Sequence, residues 1–108
     1  MLEAEILEQR RQARAAKRLV DLGLIELHRK AVAALLAPIK GAEVRERALQ
    51  QVDRWERDRL CHPRYIQVWR EILSLPAASI ESAILRDDAE GTSLRQNSPF
   101  GFLVDKAA

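Results

Sequence analysis

The chain of 108 residues is poor in the side chains that carry out most protein chemistry, with one Cys, two His and four isolated Gly. A single Cys cannot form an internal disulfide. Three thiol and imidazole groups are also too few for a structural zinc site, which needs four ligands at short paired spacings. Neither a Gly-rich phosphate loop nor a Gly-x-Ser-x-Gly turn occurs. We therefore expect no catalytic residues, no metal site and no cofactor.

The neighbouring Cys61 and His62 are the only pair that resembles a nucleophile and its base. Adjacent residues point their side chains in divergent directions, so this pair is a poor catalytic couple. We expect Cys61 to be an inert thiol. The second histidine, His28, lies beside Arg29 and Lys30, and we expect it on the polar side of its helix.

Long apolar runs are also missing, and no stretch approaches the ~18 residues of a membrane span. The chain opens with acidic residues, Glu3 and Glu5, where a signal peptide carries positive charge. Together with the single Cys, these features predict a cytoplasmic protein without a membrane partner.

The residues that are abundant, Ala, Leu, Glu, Arg and Gln, favour helix. Apolar residues recur at helical spacing, and Pro38, Pro63 and Pro76 interrupt the pattern. We predict an all-α fold in a single domain, residues 1–108: a small bundle of four to five helices with an irregular apolar C-terminal tail. The predicted helices cover residues 2–22, 24–36, 42–60, 63 or 64 to 74, and 76 or 77 to 88, with Gly23 either ending the first or lying inside one longer helix.

Residues 1–22 have a poorer apolar pattern than the rest and could form a separate N-terminal helical arm. Their apolar positions fall on one narrow, Ala-rich stripe made of Leu2, Ile6, Ala13, Ala16 and Val20. Such a helix has little to bury alone, and small residues suit close helix pairing. We predict that this arm contributes to self-association.

The same segment carries a basic face, made of Arg10, Arg11, Arg14, Lys17 and Arg18. Arg10, Arg14 and Lys17 follow i, i+4 and i+7 spacing and so share one side of a helix. One interpretation is contact with nucleic-acid phosphates. The other, which we favour, is the solvated face of an amphipathic helix.

The C-terminal segment, residues 92–108, reads as an extended tail because Pro99 cannot continue a helix. It holds both Phe of the chain, and so much apolar surface needs either the protein's own core or another chain. If it packs on the core, we expect Phe100 or Phe102 beside Trp55 or Trp69. If it binds a partner, the predicted contact residues are Arg95, Asn97, Phe100, Phe102 and Leu103.

These features favour a non-enzymatic protein-binding or regulatory module, similar in kind to an adaptor or an antitoxin. Its partner would be another protein or a second copy of itself, giving a homo-oligomer. The alternative is a nucleic-acid-binding protein that uses the basic face from Arg10 to Arg18.

Overall fold

The computed structural model describes residues 2–104, and it confirms the all-α fold class. No strand occurs within that range. The described residues form five α-helices followed by a 3₁₀ turn at Gly101–Leu103: α1 (Leu2–Leu35), α2 (Gly41–Asp58), α3 (Pro63–Leu73), α4 (Ala77–Ile84) and α5 (Ala89–Gln96).

Helix α1 is continuous through Gly23, so the two helices considered on either side of this glycine are one helix of 34 residues. Glycine inside a helix costs about 1 kcal/mol relative to alanine, which a long helix tolerates. No atom outside the helix's own backbone would lie within 4 Å of a Cβ at this position. Gly23 therefore leaves open space on the surface of α1.

A compact body is built from the C-terminal half of α1 together with α2, α3, α4 and α5. Helix α1 contacts α2, α4, α5 and the 3₁₀ turn, while α2 packs on α3, α3 on α4 and α4 on α5. One apolar core lies between them, formed by Ala31, Val32, Ala48, Val52, Ile66, Trp69, Ile72, Leu73, Ile80, Ile84, Leu94 and Phe100.

The tight turn between α1 and α2 requires glycine at its end. A Cβ at Gly41 would collide with the backbone carbonyl oxygen of Leu35, because the two backbones approach closely where α2 begins. The helix predicted for residues 24–36 ends within a residue of α1, and the helix predicted from residue 42 begins within a residue of α2.

The expectation of an extended tail from residue 92 is wrong for residues 92–96, which belong to α5. Asp88 begins this helix, since its carboxylate accepts a hydrogen bond from the backbone N–H of Gly91 at 2.8 Å. The acidic run read as the exit of the preceding helix is thus the start of the next one, with Glu90 in its first turn. Residues 105–108 of the predicted tail lie outside the described residues.

Residues 97–100 fold back onto the core, which confirms the structural interpretation of the aromatic tail. The ring of Phe100 is fully buried and meets Trp69 edge to face at 5.6 Å between centroids. The indole N–H of Trp69 donates to the carbonyl of Asn97 at 2.7 Å, and the Asn97 amide donates to the carbonyl of Ser93. Ser98 Oγ accepts a bond from the backbone N–H of Phe100. The bend is held by side chains as expected.

Replacing Phe100 by alanine should lower the free energy of unfolding by about 3 to 5 kcal/mol, because a fully buried ring leaves a cavity that its neighbours fill only in part. Phe102 is only half-buried, so Phe102→Ala should cost clearly less. Chemical denaturation of both variants measures the difference. Equal stability of Phe100→Ala and the unaltered protein would contradict the buried position of this ring.

Candidate functional site

The N-terminal half of α1 projects from the body as an arm. We use "the arm" for residues 2–20, all of which are described and all of which are exposed to solvent. At about 1.5 Å per residue the arm is roughly 28 Å long. It gives the molecule its elongated outline of 58 × 31 × 28 Å.

The arm carries apolar side chains that the rest of residues 2–104 leave exposed. Most of the stability of a helix in a protein comes from packing one face against other elements. The arm gains only local contacts, such as the Glu8–Arg11 ion pair at 3.5 Å and the hydrogen bond from Gln12 to Glu8. Surface pairs of this kind contribute little. The arm therefore presents apolar surface that no other described part of the chain buries.

The predicted apolar stripe is exposed along the whole arm. We keep the name "the stripe" for Leu2, Ile6, Ala13, Ala16 and Val20, whose spacing places them along one side of α1. The exposed fractions are 71% for Leu2, 40% for Ile6 and 59% for Val20. Gln9 occupies the one polar position in this line.

At the base of the arm the stripe runs into an apolar groove of about 400 Å³. Helix α1 forms one wall and the end of the described chain forms the other. Glu26 and Lys30 supply charge at its rim. We use "the groove" for its apolar lining: Val20, Gly23, Leu24, Leu27, Leu103 and Val104. The groove thus extends the apolar surface of the stripe by about two helical turns. It joins residues of α1 to Leu103 and Val104, which lie about 80 positions later in the sequence.

The basic face lies on a different side of the arm from the stripe. Arg10, Arg14 and Lys17 are exposed and project from the side of α1 that faces the core further along, at His28 and Leu35. Arg11 and Arg18 are exposed on a third side. The five cations are therefore spread over a wide arc of the helix, although three of them share one line.

The structure places the five predicted partner-binding residues in different environments. Phe100 is fully buried, and Arg95 is only 5% exposed. Arg95 donates through Nη1 to the carbonyls of Ile84 and Arg86, at 3.0 and 2.9 Å, and so caps the end of α4. Asn97 is half-buried with its amide engaged. Partner binding by these residues stays a prediction. Because Phe100 and Arg95 are buried, a partner could not contact their side chains in this structure.

The other two predicted residues lie nearer the surface. The guanidinium of Arg47 covers the ring of Phe102 at 4.3 Å from its centroid. Leu103 is half-buried and lines the groove. Of the five predicted residues, Leu103 alone contributes to the exposed apolar surface at the base of the arm.

Cys61 and His62 border a second pocket of about 590 Å³, which Trp55, Leu60 and Ile66 also line. Burial raises the pKa of the Cys61 thiol above its ordinary value. The Nδ1 atom of His62 accepts a hydrogen bond from the backbone N–H of Arg64 at 3.1 Å and caps α3. Burial therefore disfavours the reactive thiolate form of Cys61, and Nδ1 of His62 is engaged in capping α3.

The expected polar placement of His28 is wrong, because its ring is fully buried. Nδ1 lies 2.6 Å from the carbonyl of Leu24, to which it must donate, and Nε2 then accepts from the Ser98 hydroxyl at 2.8 Å. The ring also stacks on Trp69 at 6.0 Å. His28 shares one line of the helix with the apolar residues Leu24, Ala31 and Leu35, and this spacing could have predicted its burial. The expectation instead followed the charged neighbours in sequence, Arg29 and Lys30.

Burial holds the pKa of His28 below its ordinary value. The bond to the Leu24 carbonyl acts in the opposite direction, and the positive charge of Arg95 lowers the pKa further. His28 is therefore a neutral structural group that fastens the C-terminal segment to α1.

Comparisons with family models, with curated proteins and with solved structures found no match to this chain. Between residues 2 and 104, no helix is both long and apolar enough to cross a membrane. Over the same stretch, no group of three or more His, Cys, Asp and Glu side chains is arranged to hold a metal ion.

The stability of the protein should fall as the pH drops below about 6.5. The unfolded chain takes up a proton at His28 with the ordinary pKa, whereas the folded protein resists protonation because its pKa is lowered. Denaturation between pH 7.5 and 5.5 should show a smaller decrease for His28→Gln than for the unaltered protein. A slope for His28→Gln equal to that of the unaltered protein would contradict the assignment to His28.

Proposed function

We propose that this protein is a non-enzymatic, regulatory protein-binding module, comparable to an adaptor or an antitoxin, whose binding element is the arm. The observation that carries this proposal is the stripe: an apolar line, exposed from Leu2 to Val20, that continues into the groove. Apolar patches of this kind, bordered by charge, mark sites of association.

The division of the chain between body and arm supports this role. Buried residues in the described chain begin at His28, and the core is complete without any side chain of the arm. The apolar residues of the arm therefore add nothing to the packing of the body. A helix that presents an apolar line to a partner helix or a partner groove is a common mode of recognition.

Nucleic-acid binding through Arg10, Arg11, Arg14, Lys17 and Arg18 is the second candidate, favoured by the exposure of all five cations. The arm holds these five basic side chains against the acidic Glu3, Glu5 and Glu8, a net charge of +2. That excess is small for a surface that must neutralise several phosphates.

A cytoplasmic location also remains a prediction, based on the single Cys.

Placing a charge on the stripe should abolish partner binding, whereas the same charge beside it should not. Ile6→Glu puts a carboxylate into the contact, where desolvation without a counter-charge is unfavourable. Leu7→Glu is the matched control, since Leu7 is also exposed but points to another side of the helix. A specific partner from the native source should be retained by Leu7→Glu and bind at least about tenfold more weakly to Ile6→Glu.

The double variant Arg10→Gln, Arg14→Gln distinguishes nucleic-acid binding from protein binding. Salt-sensitive retention of DNA or RNA that this variant loses, while Ile6→Glu keeps it, would replace protein binding by nucleic-acid binding. Equal behaviour of Ile6→Glu and Leu7→Glu toward every partner would overturn the role of the stripe. Circular dichroism of each variant controls for loss of fold.

A further inference from the structure

We infer that the stripe is covered by the stripe of a second copy of this chain, with the two arms paired antiparallel over residues 2–20. This inference rests on the proposed role of the arm as a binding element and names its occupant. The spacing, the sizes and the charges of the exposed side chains on the arm all favour this arrangement.

The spacing along the arm is that of a helix-pairing seam. Positions 2, 6, 9, 13, 16 and 20 follow steps of four and three residues, the repeat that keeps side chains on the contact line of two packed helices. Gln9 is the one polar member. The seam spans the whole exposed arm and ends where the body begins. A second helix paired along it would therefore cover the full length of the stripe.

The side-chain sizes favour one antiparallel register. When Gln9 lies opposite Ala13 of the second copy, Ile6 lies opposite Ala16 and Leu2 opposite Val20, and symmetry repeats each pairing. The two inner pairings join a larger side chain to an alanine, which keeps the separation of the helices nearly constant. The outer pairing joins two large apolar residues at each end.

A parallel arrangement fits less well. It would set Gln9 against Gln9, Ala13 against Ala13 and Ala16 against Ala16, so that three successive layers would hold only a polar pair and two pairs of methyl groups. It would also bring both bodies to the same end of the paired arms. The antiparallel arrangement places the bodies at opposite ends.

Charge also favours this register. Glu3 lies beside Lys17 of the second copy, and symmetry forms this opposite-charge pair twice. Arg10 approaches Arg10 of the second copy near the two-fold axis, where both are exposed and screened by solvent. A shift by one heptad toward the bodies would instead set Arg10 beside Lys17 twice. The opposite shift would pair Glu3 with Arg10, but it would leave Ala16 and Val20 without a counterpart on the second arm. Antiparallel helices also align their dipoles favourably.

The groove gives the end of the second arm a place to dock. Opposite Val20, Leu2 of the second copy reaches the mouth of the groove, which Leu24, Leu27 and Leu103 continue beyond it. Each arm thus meets both the arm and the body of the other copy. The second copy therefore completes a site that one chain leaves open.

Disulfide crosslinking tests this arrangement in the full chain, with Cys61→Ser as the background so that only introduced thiols react. One preparation carries Gln9→Cys and the other carries Ala13→Cys. The two positions should form a disulfide only when they face each other, since bridged Cα atoms lie within about 7 Å. After mild oxidation of the mixture, mass spectrometry should show mostly the mixed dimer. Ala13→Cys alone should crosslink poorly.

Dominant crosslinking of Ala13→Cys to itself would overturn the antiparallel register, and a monomer in sedimentation at the highest attainable concentration would overturn self-association. Ile6→Glu should shift the dimer to monomer and Leu7→Glu should not. These outcomes distinguish a failure of this inference from a failure of the proposed function. A monomer that still binds another protein in a stripe-dependent way refutes only the inference, whereas an arm-paired dimer that binds no other protein limits the function to self-association.

Discussion

The hydrogen bond between His28 and Ser98 joins residues 70 positions apart and holds together the two ends of the core. With the imidazole neutral, Nδ1 donates within α1 and Nε2 accepts from the Ser98 hydroxyl. The Ser98 oxygen in turn accepts the backbone N–H of Phe100. This chain of bonds sets Phe100 between His28 and Trp69, where each ring meets the others.

The placement of the exposed surface depends on this connection. Phe100 fixes where the 3₁₀ turn begins, and that turn brings Leu103 against α1 at the base of the arm. Packing of Ala31 and Val32 on the body fixes the direction of α1, so the arm leaves the body along a set line. The stripe and the groove are thus continuous because the C-terminal segment is docked.

Local signals predicted most of the helices. Of the contacts between distant residues, the packing of Phe100 on Trp69 was predicted and most others were not. Pro38, Pro63 and Pro76 mark helix boundaries by the chemistry of proline alone. Helix α5 was missed because Asp88 suits the end of one helix as well as the cap of the next, and only the Gly91 bond distinguishes the two. The stripe followed from spacing within one helix. The groove could not be predicted, because Leu103 meets Leu27 only in the folded chain.

The C-terminal segment was expected either to pack on the core or to bind another chain, and its residues differ in how far they are buried. Phe100 belongs wholly to the core, whereas Leu103, three residues later, lies in the exposed groove. The 3₁₀ turn begins directly after Phe100, so the position of the buried ring determines where Leu103 lies. Any partner that fills the groove therefore contacts a surface whose shape is set by the buried ring, and binding there is coupled to the stability of the tail.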